Sequence, residues 1–192
     1  MKKCFLACMS LFIVACAAHA QIGSDIQKSQ ERAAELQALC NDYRPSGSPS
    51  VDAYGNAVKN AAVMAIANSA QLENMYQRQI GETEDGVTDV TITKPTLDEW
   101  IAFSATVAAE AASIKTATDM LQIAADEAKS MTEGAAKEKN PMKAAKAAKT
   151  AKMATAVVTF GGNATKILLE ESAAQAKAVG TIIETLKSGK NL

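Results

Sequence analysis

The chain has 192 residues with 20 basic and 21 acidic side chains, and 48% of its residues are hydrophobic while 4% are aromatic. A chain of this size can bury a core without disulfides or metals. Its nearly balanced charge excludes a general polyanion binder, so that only a local basic patch could act in that way.

The first twenty residues have the three parts of a secretory signal peptide. Two lysines follow the initial Met, residues 4–17 are small and apolar, and the sequence AHA precedes Gln21. We therefore expect residues 1–20 to be removed, leaving residues 21–192 as one domain in the periplasm or outside the cell. The alternative is an outer-membrane lipoprotein, because the sequence IVAC resembles a bacterial lipobox whose cysteine, Cys16, is acylated.

Cleavage after residue 20 would remove most of the chain's reactive side chains. The removed residues are Cys4, Cys8, Cys16 and His19, the only histidine. Without an imidazole, the usual serine and cysteine triads, histidine zinc sites and Glu-x-x-His di-iron sites are excluded. No phosphate-binding or dinucleotide-binding glycine motif is present either. The sequence thus predicts no catalytic residue, no cofactor and no metal site.

Cys40 is the one thiol left after cleavage. It follows Leu39 in a helical pattern, which favours a small apolar residue on a buried face. The alternative is an intermolecular disulfide that links two copies of the chain.

Abundant alanine, lysine and glutamate favour helices, and the prolines separate them. The first helix is expected from Ser24 to Cys40, and the turn-rich sequence NDYRPSGSPS follows it. The second is expected from Ser50, as its N-cap, to about Ile80, with Gly81 at its end.

Residues 82–94 break the helical pattern. Their sequence, ETEDGVTDVTITK, alternates with a period of two, which predicts a short β-ribbon or an ordered loop. Four carboxylates in this segment are expected to form an acidic surface loop, although they could in principle hold a hard cation such as Ca²⁺. These residues are Glu82, Glu84, Asp85 and Asp89.

The third helix is expected to begin after Thr96 and to reach about Glu133. Thr96 and Glu99 have the spacing of a capping box, in which each side chain bonds the other residue's backbone N–H. Apolar, small or hydroxyl residues recur at steps of three and four and predict a packing seam. The seam comprises Leu97, Trp100, Ser104, Val107, Ala111, Ile114, Thr118, Leu121, Ala125 and Ala128.

The fourth helix is expected from Pro141 to about Lys187, since proline is favoured in a first turn. Gly161 and Gly162 within it predict a kink or a close helix crossing. The predicted fold is therefore all-α: an elongated antiparallel up-and-down bundle of three long helices and a shorter N-terminal one.

A band of four lysines begins the fourth helix. Lys143, Lys146, Lys149 and Lys152 recur every three residues with mainly alanine between them. Steps of three spread the four charges over about half of a helix circumference. The band is either a solvated helix face or a contact for an anionic partner, such as membrane headgroups, glycans or an acidic protein patch. Nucleic acid is not expected, because no aromatic residues are interleaved for base stacking.

These features predict a secreted, non-catalytic structural or interaction protein of a bacterial envelope, which binds a protein partner or its own copies. The signal peptide, the length and the helical character resemble small pilus-tip components of conjugative secretion systems. That resemblance implies a subunit of a surface or secretion assembly. Two alternatives remain: a lipoprotein with the same scaffold role, and a small-ligand-binding bundle that uses carboxylates and the tyrosines Tyr43, Tyr54 and Tyr76.

Overall fold

A computed structural model of the protein describes residues 2–81, 91–190 and 192, with side chains from residue 21 onward. Within these residues the chain forms four helices: α1 (Lys2–Asp42), α2 (Pro49–Ile80), α3 (Leu97–Lys137) and α4 (Pro141–Lys187). The predicted all-α bundle is confirmed. The 47 residues of α4 span about 70 Å at about 1.5 Å per residue, so the molecule is elongated.

The bounds of α1 and α3 differ from the sequence-based expectation. Helix α1 begins at Lys2 rather than Ser24 and is continuous through the predicted signal peptide. Helix α3 continues past Glu133 to Lys137, because a single glycine such as Gly134 costs only about 1 kcal/mol in a helix. Most of the predicted ribbon or loop, residues 82–90, lies outside the described residues, and this part includes the four acidic residues. The rest of it, residues 91–94, forms a turn, a bend and irregular chain.

Side-chain hydrogen bonds establish the relative direction of α2 and α3, and the short turn at residues 138–140 reverses the chain between α3 and α4. As the residue number increases along α2, the residue number of its partner in α3 decreases, so these helices are antiparallel. The pairs are Ser50–Glu127, Asn68–Glu110 and Gln79–Trp100. Helix α1 contacts α2 and α4, and among the described residues it makes no contact with α3. Helices α2 and α4, which both run opposite to α3, therefore contact each other across the diagonal of the bundle.

The helix ends follow from local chemistry in most cases. Thr96 forms the expected capping box: its N–H donates to Glu99 at 2.6 Å, and its hydroxyl accepts from the Glu99 N–H at 3.2 Å. The Thr96 hydroxyl also donates to the Glu99 carboxylate, at 3.0 Å. The two bonds that this carboxylate accepts, from the Thr96 N–H and from the Thr96 hydroxyl, lower the pKa of the Glu99 carboxyl because they stabilise its ionised form. Gly81 ends α2 in the left-handed conformation, with φ 77°, as the sequence predicted.

The start of α2 corrects one prediction. The N-cap is Ser48 rather than Ser50, since Pro49 occupies the first helical position. The Ser50 hydroxyl instead donates to Glu127 of α3, as does the Ser48 hydroxyl. The loop before α2 is held by Asp52, which accepts from the backbone N–H groups of residues 46 and 47 at 2.6 and 2.9 Å.

Buried residues recur every three or four positions in all four helices, as in left-handed bundles. In α3 the core positions are Trp100, Phe103, Val107, Glu110, Ile114, Ala117, Ala124 and Ala128. Four of the ten predicted seam positions are therefore wrong by one residue. The buried residues there are Phe103, Glu110, Ala117 and Ala124, not Ser104, Ala111, Thr118 and Ala125. Alanine occupies both 124 and 125, so the sequence pattern did not distinguish the two phases there.

The apolar core divides into two clusters along the bundle. The upper cluster, nearer the start of α2, includes Leu36, Tyr54, Ile114 and Leu168. The lower cluster includes Ile26, Leu72, Trp100 and Ile182.

The predicted close crossing occurs in the upper cluster, where the ring of Tyr54 lies against Gly161. A Cβ at Gly161 would lie 2.3 Å from the Tyr54 hydroxyl, whereas a Cβ at Gly162 would meet open space. Only the first of the two glycines therefore allows the helices to approach.

Candidate functional site

A layer of buried polar side chains separates the two apolar clusters. Each helix contributes to this polar layer, which we define as Ser29, Arg32, Asn68, Ser69, Glu110, Glu171 and Gln175. The side chains meet at one level because their positions in the antiparallel helices coincide. Six of its seven members, all except the partly exposed Arg32, belong to the eleven buried polar residues of the described part of the chain.

Glu171 is the most highly coordinated member of the layer and has no exposed surface. Its carboxylate accepts from the Ser29 hydroxyl, from Gln175 Nε2 at 2.6 Å and from Arg32 Nε at 2.5 Å. The Ser29 hydroxyl in turn lies 2.8 Å from that of Ser69. Removing one partner from a buried ion pair costs about 3–5 kcal/mol, so these bonds fix the register of α1 against α2 and α4.

Glu110 is also fully buried but has fewer partners. Its Oε2 accepts from Asn68 Nδ2 at 2.7 Å, while its Oε1 has no hydrogen-bond partner among the described residues. The pKa of Glu110 is raised to about 7, mainly by burial and to a smaller extent by the negative charge of Glu171, while the Asn68 hydrogen bond partly opposes the rise. Glu110 therefore changes its charge near neutral pH.

The two carboxylates of the polar layer, Glu110 and Glu171, have no exposed surface. Two surface grooves of about 330 and 490 Å³ run between α3 and α4 and share Ala111, Ser172 and Ala176 in their walls. Neither groove is lined by Glu110 or Glu171. No group of three or more potential metal ligands occurs in the described part of the chain. The hydrogen bonds of the polar layer join α1, α2 and α4 around Glu171 and join α2 to α3 at Glu110, so this arrangement holds the helices in register.

The three tyrosines named for the ligand-binding alternative lie in two separate apolar clusters. Tyr43 and Tyr54 belong to the upper apolar cluster, and Tyr76 belongs to the lower one. The hydroxyl of Tyr43 donates to Asn56 Oδ1 at 3.1 Å.

Cys40 is 6% exposed in the upper cluster, and burial raises the pKa of its thiol. Its position agrees with the apolar interpretation. The intermolecular disulfide remains untested and would need this side chain to leave the core.

The lysine band lies on a different feature, a two-helix hairpin that extends beyond the rest of the bundle. Ser48 and Ser50 bond Glu127, so the start of α2 is level with that residue. Helix α3 continues for about ten more residues, or about 15 Å at about 1.5 Å per residue, before α4 returns. We call residues 129–152 the hairpin end. Its helices face each other through small residues, mainly the half-buried or buried Ala135, Ala144, Ala147 and Ala151.

The hairpin end carries an unusual concentration of positive charge. All seven of its lysines are exposed: Lys129, Lys137, Lys139, Lys143, Lys146, Lys149 and Lys152. With two glutamates in the same segment its net charge is +5, while the remainder of residues 21–192 has 11 basic and 19 acidic residues and a net charge of −8. The ion pairs of the described residues, Arg32–Glu171 and Lys115–Asp119, involve none of these lysines.

The structure thus adds two features that the sequence pattern did not reveal. Glu110 and Glu171 occupy core positions of the heptad pattern. Continuing the spacing of three and four residues even where it falls on a charged residue would have located them. The separation of charge could have been counted from the sequence, but the extension of the hairpin depends on the contact between α2 and Glu127.

No protein-family model matches the chain, and no curated protein or solved structure is significantly similar to it. Among the described residues, no helix is both long enough and apolar enough to cross a membrane.

Proposed function

We propose that the protein is an exported, non-catalytic interaction module of a bacterial envelope and that the hairpin end is its contact element. The observation that carries this proposal is the concentration of positive charge on a two-helix extension of an otherwise acidic bundle. An exposed, unpaired group of like charges destabilises a compact protein by self-repulsion, so a binding role accounts for its presence better than stability does.

The packing of the core also supports a contact role for the hairpin end, because the large buried side chains lie in the rest of the bundle. The upper apolar cluster reaches Ala128 and the half-buried Met131 in α3 and resumes at Ala154 in α4. The intervening turns add helix length but no large buried side chain. The bundle therefore obtains little stability from the hairpin end, which leaves that surface available to a partner.

Export remains part of the proposal and rests on the three-part sequence pattern of residues 1–20. The intact mass of the protein from its natural host distinguishes a soluble product that begins at Gln21 from a lipoprotein acylated at Cys16.

A site-specific crosslinking experiment tests the contact element. A photoreactive amino acid is placed at Ala145, which is exposed in the hairpin end, and, as a matched control, at Ala105, which is exposed on α3 within the bundle. We expect crosslinked products in intact envelopes from position 145 and not from position 105. Products from position 105 alone, or from neither position, would contradict the proposal.

A further inference from the structure

We infer that the hairpin end binds a membrane surface of anionic lipid headgroups, with the long axis of the bundle pointing away from the membrane. This inference rests on the proposed function and assigns a partner to the same surface. It depends on the placement of the lysines, on the residue types that accompany them and on the charge of the remaining bundle.

The lysines surround the hairpin end rather than forming one flat face. Lys129 and Lys137 belong to α3, Lys139 lies in the turn, and the band of four follows in α4. Successive steps of three residues turn by about 300° on a helix, so the band alone covers about half of the circumference of α4. Such a distribution suits a diffuse layer of negative headgroups, which attracts lysines without requiring a fixed set of partner positions.

An apolar side chain lies at the extreme end of the same surface. Met142 is 85% exposed in the first turn of α4. This turn is ordered by Asn140, whose side chain accepts from the N–H groups of Met142 and Lys143 at 3.1 and 3.2 Å. A large apolar residue among lysines can enter the boundary between headgroups and acyl chains, where it adds to the electrostatic attraction.

The composition of the hairpin end favours lipid over protein as the partner. Residues 129–152 contain no arginine, tryptophan, tyrosine or phenylalanine. The central parts of protein interfaces are enriched in those residues and depleted in lysine. The net charge of −8 on the remaining bundle would repel an anionic membrane, which orients the molecule end-on.

Vesicle sedimentation tests this inference with the full exported protein. Vesicles that contain phosphatidylglycerol are compared with vesicles of phosphatidylcholine alone. The test variant combines K143Q, K146Q, K149Q and K152Q, and the control combines K28Q, K166Q, K177Q and K187Q, which removes four exposed lysines from the bundle. Each lysine near the surface contributes roughly fivefold in affinity. In the end-on orientation Lys149 and Lys152 lie about 9 and 14 Å along the helix from Lys143, and they contribute less because the attraction falls off within about 10 Å. The test variant should therefore bind anionic vesicles on the order of tens of times more weakly than the unmodified protein.

The control variant should retain most of the binding to anionic vesicles, and a separate M142Q variant should bind them less well with all lysines present. Equal binding to both kinds of vesicle, or an equal loss in the control, would overturn the inference. So would salt-sensitive self-association that the test variant abolishes, because it would make a second copy the partner. Absence of vesicle binding, with crosslinking from position 145 intact, would reject lipid but leave the proposed function standing.

Discussion

The buried carboxyl of Glu110 should make the stability of the bundle depend on pH in a predictable direction. Its pKa rises from an ordinary 4.5 to about 7 in the folded protein. Between these values the folded state keeps a proton that the unfolded chain has lost, so stability falls as pH rises through this range and levels off above it. At about 1.4 kcal/mol per pKa unit, the total loss is about 3 kcal/mol.

The substitution Glu110→Gln removes this cost while keeping the shape of the side chain. The amide oxygen can still accept from Asn68, and an NH₂ group replaces Oε1, which has no partner among the described residues. The charged group that acts on Glu110 is Glu171 of α4, which is itself paired with Arg32 of α1. At low pH, where Glu110 is protonated in both the folded and the unfolded state, the variant and the unmodified protein should have the same unfolding free energy. Well above neutrality the unfolding free energy of the variant should be higher by up to about 3 kcal/mol.

Urea denaturation across this pH range measures the difference in unfolding free energy between the two proteins. Because all other titrating groups are shared, the difference isolates Glu110. Glu170→Gln, which removes the exposed carboxylate beside Glu171, serves as the control and should show no comparable pH dependence. A difference for Glu110→Gln that stays constant with pH would refute the reasoning.

Three further substitutions or treatments test the packing. Gly161→Ala should lower the unfolding free energy by about 1–3 kcal/mol, because the added Cβ meets Tyr54. Gly162→Ala should leave it unchanged or raise it by about 1 kcal/mol, since its Cβ meets open space. Equal effects of the two substitutions would contradict the close approach at Gly161. Thr96→Ala should cost about 1 kcal/mol in urea denaturation through loss of the capping box, and no loss would contradict its role. Cys40 should react with a thiol reagent only on unfolding, and a dimer that dissociates with reductant would contradict its buried position.

The features that the sequence predicted correctly are those determined within a few residues. The capping box at Thr96, the left-handed Gly81 and the proline at the start of α4 each depend on local backbone chemistry. The division into helices follows from the same signals. The N-cap of α2 was the local exception, because Ser48 and Ser50 are equally suitable residues and Pro49 between them decides which one lies outside the helix.

The features that the sequence did not predict depend on contacts between distant segments. A charged residue at a core position, such as Glu110, becomes acceptable only through a partner on another helix, Asn68. The buried positions of the α3 seam could not be assigned from the sequence where alanine occupies two neighbouring positions, as at 124 and 125. The lysine band was visible in the sequence, but its position on a projecting hairpin requires the register between Ser50 and Glu127.

Hydrogen exchange of the full exported protein, with and without membrane vesicles from the producing cells, tests the central claim most directly. Such vesicles offer both lipid and protein partners, so the measurement locates the contact whichever of them binds. We predict that exchange slows within residues 129–152 and stays unchanged around Ser69 and Glu171 in the polar layer. Protection confined to the bundle, or exchange that is unchanged throughout the chain, would contradict the account.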